Sequence, residues 1–164
     1  MSTVARRPAP ITREGYERLQ AELERLLTHK RREIAAWLRD AKLGGGEAGE
    51  NLEVTAALDE QAALERRIGE LKATLALATI AEPIDGIAGV GQVVRLCVAG
   101  GSIAIEYQLV SPAESDPGSQ RISVESPVGE ALSGRRAGDV VEVQTPGGMR
   151  TMQILEVVRA GGSA

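Results

Sequence analysis

The sequence predicts an α+β protein in which an N-terminal antiparallel coiled-coil hairpin precedes a small domain of strands. Apolar residues recur at helical spacing through residues 11–80, with an acidic, glycine-rich break near residue 46. The remainder is rich in short β-branched segments bounded by turn residues. The chain therefore divides into a disordered tail (1–10), the hairpin (11–80), a Pro- and Gly-containing linker (81–91) and a second domain (92–160).

The outgoing helix is predicted from Thr12, whose hydroxyl can cap its N-terminus, to about residue 42. Its apolar stripe consists of Tyr16, Leu19, Leu23, Leu27, Ile34, Leu38 and Ala41. Lys30 interrupts the heptad pattern of this stripe, and Trp37 is expected to pack in the seam.

The return helix is predicted over residues 50–78. Its apolar positions alternate steps of four and three, as in an antiparallel coiled coil: Ala57, Gln61, Leu64, Ile68, Leu71, Leu75 and Ala78. The two stripes can bury each other, which favours a hairpin. Helices of about 30 residues would extend about 45 Å, at about 1.5 Å per residue, and would place the acidic stretch 46–53 at the tip of a long arm.

The second domain is predicted to contain five strands, at 92–99, 103–110, 122–125, 140–145 and 149–158. Residues 145–148 resemble a hairpin turn between the last two strands. One short helix is expected, with Ser126 as its N-cap, Pro127 at its first position and Gly134 as its C-terminal stop.

The amino-acid composition limits the classes of function that this chain can have. The net charge is −4, which is unfavourable for binding the phosphates of free nucleic acid. The only aromatic residues are Trp37, Tyr16 and Tyr107, so there are few side chains on which bases could stack. We therefore expect a protein partner. The single Cys97 excludes an internal disulfide, and the single His29 excludes a multi-histidine metal site. These counts are typical of a reducing cytoplasm, and no apolar run has the roughly 18 residues of a membrane span.

Two motifs resemble those of the Gre family of bacterial transcript-cleavage factors. One is GEAGENLEVTAALDEQ over residues 46–61, and the other is SVESPVGEALSGRRAGD over residues 123–139. They occur in the family's order, and the resemblance extends from Ile11 to Val158. It implies that the second domain is FKBP-like and docks at the rim of the secondary channel of RNA polymerase. The hairpin would then enter that channel, and the factor would act as a monomer that meets nascent RNA only indirectly.

The resemblance also implies roles for two groups of residues that would bind the partner. Glu125, Ser126 and Pro127 match the loop by which the family's C-terminal domain grips polymerase. Lys30, Arg31 and Arg32 match a basic patch that the family uses near polymerase and RNA. A charge run on a helix is also typical of a solvated face, and both interpretations of the basic run stay open.

At the tip, the resemblance matches Glu47 to the family's metal-holding Asp and Glu50 to its second acid. Mg²⁺ favours carboxylate and water oxygens, so these acids would help to hold a second ion only within the polymerase active site. The protein is then expected to have no cofactor and no enzymatic activity of its own. Carboxylates near a helix N-terminus are also stabilised by the helix dipole without any such function.

The tip departs from the family pattern in four ways that predict weak or no cleavage. Glu47 has one methylene more than Asp, and the glycine run 44–46 is about one residue longer. Gly49 and Val54 replace a Ser or Lys and an aromatic residue, and Leu58 replaces a basic residue. We therefore expect a channel-binding regulator that inhibits transcription, with an active cleavage factor as the alternative. A peptidyl-prolyl isomerase is a more remote alternative, because its pocket needs aromatic walls and the second domain contains only Tyr107. A holdase is also remote, because it should expose apolar surface and this tip is acidic.

Overall fold

The computed structural model describes residues 8–43, 49–101 and 103–161. The chain forms two compact units. The hairpin unit is Tyr16–Leu77, and the sheet unit combines Met1–Gly15 with Ala78–Ala164. The predicted fold class, a helical hairpin followed by a strand-rich α+β domain, is confirmed. In the described ranges, no helix is both long and apolar enough to cross a membrane.

The outgoing arm contains helix α1 (Arg13–Arg25), a π-helical segment (Leu26–Lys30) and helix α2 (Arg31–Leu43). Thr12 caps α1 as predicted, because its Oγ1 accepts a hydrogen bond from the backbone N–H of Gly15 at 2.9 Å. The arm's described side chains are buried at intervals of seven, eight and seven residues: Leu19, Leu26, Ile34 and Ala41.

The π-helical segment explains the irregular middle interval. A heptad repeat places equivalent positions seven residues apart, but Leu26 and Ile34 are eight apart. A π-helical turn accommodates one extra residue, so Ile34 still faces the seam. The sequence pattern assigns Leu27 to the stripe, but Leu26, seven residues after Leu19, is the buried residue and Leu27 is half-buried.

The return arm is helix α3 (Gly49–Leu77), with Ala57, Leu64, Ile68 and Leu71 buried. Two seam predictions are wrong. Gln61 is exposed, as expected for an amide that would lose its hydrogen bonds on burial without a partner. Trp37 is 40% exposed, because α2 directs Ile34 and Ala41 into the seam and leaves Trp37 on its flank.

The sheet unit contains all five predicted strands. They are β3 (Gln92–Val98), β4 (Ala104–Val110), β5 (Arg121–Ser123), β6 (Val140–Thr145) and β7 (Gly148–Arg159). Their order is β5-β4-β3-β7-β6, and every neighbouring pair is antiparallel except β4 with β5. The predicted helix is α4 (Pro127–Leu132). Its Leu132 is fully buried and belongs to the same core as Leu96, Leu109 and Ile154 of the sheet.

A second, two-stranded sheet was not expected from the sequence. Strand β1 (Ala9–Ile11) pairs in parallel with β2 (Ala78–Ile80), and Ile11 is 1% exposed. This pairing corrects the disordered tail predicted through Pro10, and Ala78 is in a strand rather than at the end of a helix. Residues 1–7 of the predicted tail lie outside the described residues.

The predicted linker is attached to the sheet unit by backbone hydrogen bonds. The N–H of Ala88 donates to the carbonyl oxygen of Arg135 at 2.8 Å, and the N–H of Gly91 donates to that of Leu109 at 2.9 Å. Ala88 is buried in the core of the sheet unit. Residues 81–91 therefore pack on the domain that they precede.

Glu114 is a buried carboxylate in the sheet unit, 3% exposed, within a 3₁₀ turn (Pro112–Glu114). It accepts hydrogen bonds from the backbone N–H groups of Thr12, at 3.1 Å, and Ser111, at 3.2 Å. The hydroxyls of Thr12 and Ser111 also donate to it. Four donors compensate the burial of one charged group, and they tie the start of α1 to the loop after β4.

Candidate functional site

The loop before α4 contains the three residues predicted to grip a partner. Ser126 is half-buried and fixed by two hydrogen bonds: its Oγ donates to the carbonyl oxygen of Ser123 at 2.7 Å and accepts from the N–H of Gly129 at 3.1 Å. It is therefore the N-cap that the sequence predicts, with Pro127 at the first helical position. Glu125 and Pro127 on either side are exposed.

The same loop is stiffened by two residues that sequence reasoning missed. The N–H of Glu125 donates to Oγ of Ser123 at 3.0 Å. Gly129 is buried, and a Cβ atom at this position would collide with the carbonyl oxygen of Ser123. The sequence did carry a signal for Gly129, because glycine is unfavourable inside a helix unless close packing requires it. Glu125 and Pro127 are thus presented from a rigid turn rather than from a mobile loop.

Two of the three residues of the predicted basic patch, Lys30 and Arg31, are engaged within the hairpin. Arg31 donates from Nε and Nη2 to the two carboxylate oxygens of Glu65 at 2.8 and 2.6 Å. This hydrogen bonding raises the pKa of Arg31 and lowers the pKa of Glu65. Nζ of Lys30 lies 3.7 Å from a carboxylate oxygen of Glu60 and is only weakly paired.

Arg32 differs from its two neighbours. It is exposed, and it forms no ion pair with any residue in the described part of the chain. Of the predicted patch, Arg31 is thus used to join the two arms, Lys30 is shared between Glu60 and Glu33 of its own arm, and Arg32 is available to a partner.

The metal-binding roles of the two tip carboxylates stay predictions. Glu47 lies outside the described residues, and Glu50 belongs to the first turn of α3, with nothing described of its side chain. Among the residues that the structure describes, no group of His, Cys, Asp and Glu could hold a metal ion. A metal role for Glu47 and Glu50 therefore depends on the sequence resemblance and on oxygens that a partner would supply.

Comparison with known proteins identifies the class. Residues 9–80 match the family model for the N-terminal domain of transcription elongation factors. Residues 84–159 match the model for the C-terminal domain of GreA/GreB elongation factors. The chain therefore belongs to the GreA/GreB family of transcription elongation factors.

Full-length relatives agree with this membership. The chain is 39% identical over 159 residues to transcription elongation factor GreA of Alkaliphilus oremlandii, covering 95% of this chain and 99% of that protein. It is 42% identical to transcription elongation factor GreA of Thermomicrobium roseum, covering 94% and 99%. Among solved structures, GreA factor homolog 1 of Thermus thermophilus is 34% identical, covering 93% and 99%, with a TM-score of 0.41.

Proposed function

We propose that this protein binds bacterial RNA polymerase in the cytoplasm and inserts its hairpin into the secondary channel. The sheet unit would dock through Glu125, Ser126 and Pro127. The observation that carries this proposal is the rigid turn in which capped Ser126 holds Glu125 and Pro127 exposed. A preorganised turn loses little conformational entropy on binding, which favours its use as a docking element.

Once bound, the protein would act by occupancy and would cleave RNA weakly or not at all. Its tip carboxylates, Glu47 and Glu50, would reach the active-site Mg²⁺ of polymerase, but Glu47 would be displaced by its extra methylene and by the glycine run 44–46. A misplacement of about 1 Å can lower a rate on the order of 10²-fold. The hairpin would still obstruct the channel, so inhibition would rise with factor concentration.

The second candidate is an active factor that stimulates cleavage of backtracked RNA by polymerase. Both tip positions are acidic, and the relatives at 39% and 42% identity are elongation factors GreA. In either case the chemistry would take place on the metal ions of polymerase, and the factor would need no cofactor of its own.

A binding assay with purified core polymerase tests the docking step. The double variant Ser126→Ala, Pro127→Ala should bind at least about tenfold more weakly, since both the cap and the fixed φ of the turn are lost. Ser133→Ala, at the opposite end of α4, serves as the control. Unchanged affinity of the double variant, with the circular dichroism of a folded protein, would exclude this turn as the docking element.

A further inference from the structure

One flank of the hairpin carries a row of side-chain pairs that cross from one arm to the other. Nε of Arg67 donates to Oε1 of Glu22 at 2.9 Å, and Nζ of Lys30 lies 3.7 Å from Oε1 of Glu60. Arg67 and Glu60 are one heptad apart in α3. Glu22 and Lys30 are eight residues apart, and the π-helical segment between them accommodates the extra residue. The two pairs are therefore successive steps of one cross-arm row.

The next step of the cross-arm row joins Trp37 to Glu53. Trp37 follows Lys30 by seven residues in α2, and Glu53 precedes Glu60 by seven residues in α3. A coiled coil repeats the same cross-arm neighbours in every heptad, so Glu53 is the residue opposite Trp37. At the first two steps a cation faces a carboxylate. At the third step an indole ring stands where that cation would be.

Both members of this third step are open to a partner. Trp37 is 40% exposed. Glu53 is exposed and forms no ion pair within the described ranges, and the same holds for Asp40, which is three residues after Trp37 on the same side of α2. Lys30, the cation one heptad away, is already placed between two carboxylates. The surface thus combines the electron-rich face of an indole with unpaired negative charge, which attracts cations and repels phosphates.

We propose that the surface formed by Trp37 and Glu53 binds a cationic side chain, specifically an arginine, in the wall of the polymerase channel. This inference rests on the proposed function, because the hairpin must enter the channel to make the contact. The planar guanidinium would stack on the indole of Trp37 while its N–H groups donate to the carboxylate of Glu53. The partner would thereby supply the cation that this step of the cross-arm row lacks.

The test measures affinity for purified core polymerase in a double-mutant cycle. Trp37→Leu and Glu53→Gln should each weaken binding about three- to tenfold, and the double variant should lose little more, because both groups hold the same cation. Asp59→Asn is the matched control. Asp59 is an exposed carboxylate of α3 two residues after buried Ala57, and so on the opposite side of that helix. Multiplying losses in the double variant, or an equal loss in the control, would contradict the contact.

Trp37→Lys separates the contact from an effect on the fold. The new ammonium group would pair with Glu53 and complete the cross-arm row, so the melting temperature should not fall. It would also repel the partner's cation, so affinity for polymerase should fall at least as far as with Trp37→Leu. Stronger binding by Trp37→Lys would show that the surface meets an anion such as RNA phosphate, and would overturn the proposal.

The parent protein distinguishes failure of this inference from failure of the proposed function. If the parent does not bind core polymerase, the proposed function is wrong and the contact is wrong with it. If the parent binds, while Trp37→Leu and Glu53→Gln bind equally well and remain folded by circular dichroism, only the contact is wrong. Raising the salt concentration should narrow the difference between parent and Glu53→Gln, as expected for an interaction between charges.

Discussion

Arg31 and Glu65 form a bidentate ion pair that joins the two arms of the hairpin, with N–O distances of 2.8 and 2.6 Å. Arg31 is the residue that directly follows the π-helical segment (Leu26–Lys30), and Glu65 belongs to α3. Arg31 belongs to the basic run that the family resemblance assigns to partner binding, but its hydrogen-bonding capacity is largely directed at the return arm. Substitutions of Arg31 and Arg32 should therefore have different effects on stability and on partner binding.

Replacing Glu65 by Gln should make the thermal stability of the protein less dependent on pH in the acid range. Arg31 lowers the pKa of Glu65 in the folded state, so the unfolded chain takes up a proton at a higher pH. The stabilisation is present above the unfolded pKa of about 4.3 and is lost as the pH falls through the folded pKa. The effect should be small because both groups are exposed. Melting temperatures of Glu65→Gln and parent should converge at low pH, and Glu17→Gln, which removes an exposed carboxylate from the other arm, is the control.

Arg32→Ala should weaken binding to RNA polymerase without changing the melting temperature, because Arg32 is exposed and unpaired within the described ranges. Arg31→Ala should lower the melting temperature, because it removes the ion pair with Glu65, and it should weaken polymerase binding less than Arg32→Ala does. The affinity for core polymerase and the melting temperature should be measured on the same preparations of each variant. A larger loss of affinity for Arg31→Ala than for Arg32→Ala would contradict this assignment.

Deleting Thr28 should convert the π-helical segment into regular α-helix at little cost in stability. The deletion shortens the interval between the buried Leu26 and Ile34 from eight residues to seven, which restores the heptad spacing. Deleting exposed Ala62 from the return arm should be strongly destabilising, since it shortens the interval between Ala57 and Leu64 to six. Thermal unfolding followed by circular dichroism compares the two, and equal losses would show that the extra residue does not account for the π-helical turn.

Glu114→Ala should destabilise the sheet unit by about 1–3 kcal/mol or more, because it leaves buried donors on Thr12 and Ser111 without their acceptor. Gly15→Ala should also be destabilising, since its new Cβ would collide with the Glu114 carboxylate. The cost of Gly15→Ala should shrink in the Glu114→Ala background, where that carboxylate is missing. Urea denaturation of the four proteins measures this coupling, and Gly69→Ala, whose Cβ would meet open space, is the control. Strictly additive losses would contradict direct contact.

The sequence predicted the elements that depend on neighbouring residues and missed those that depend on distant ones. The Ser126 cap and the helix after it follow from a local Ser-Pro pattern and were predicted correctly. The strand Ala9–Ile11 was missed because it is three residues long, contains a proline and pairs with Ala78–Ile80 far along the chain. Glu114 was missed for the same reason, since half of its donors come from Thr12.

The tip should gain cleavage activity when its geometry is moved towards the family pattern. Glu47→Asp combined with deletion of one glycine from 44–46 shortens both the side chain and the turn. Catalytic groups must be held within about 0.5 Å of productive geometry, so even a small correction should matter. Affinity for polymerase should hardly change, because the docking turn is untouched. The Glu47→Gln, Glu50→Gln variant should cleave no more than polymerase alone, and an inert Glu47→Asp variant that still binds would instead implicate Leu58.

The most direct test of the central claim adds the unmodified protein to a stalled, backtracked elongation complex with end-labelled RNA. Channel occupancy predicts that RNA extension slows progressively as factor concentration rises, and that little shortened RNA forms beyond the background of polymerase alone. An active homologue added in excess should relieve the inhibition by competing for the channel. Shortened RNA formed as fast as with that homologue, or faster extension at every concentration, would contradict the account and establish the active cleavage factor instead.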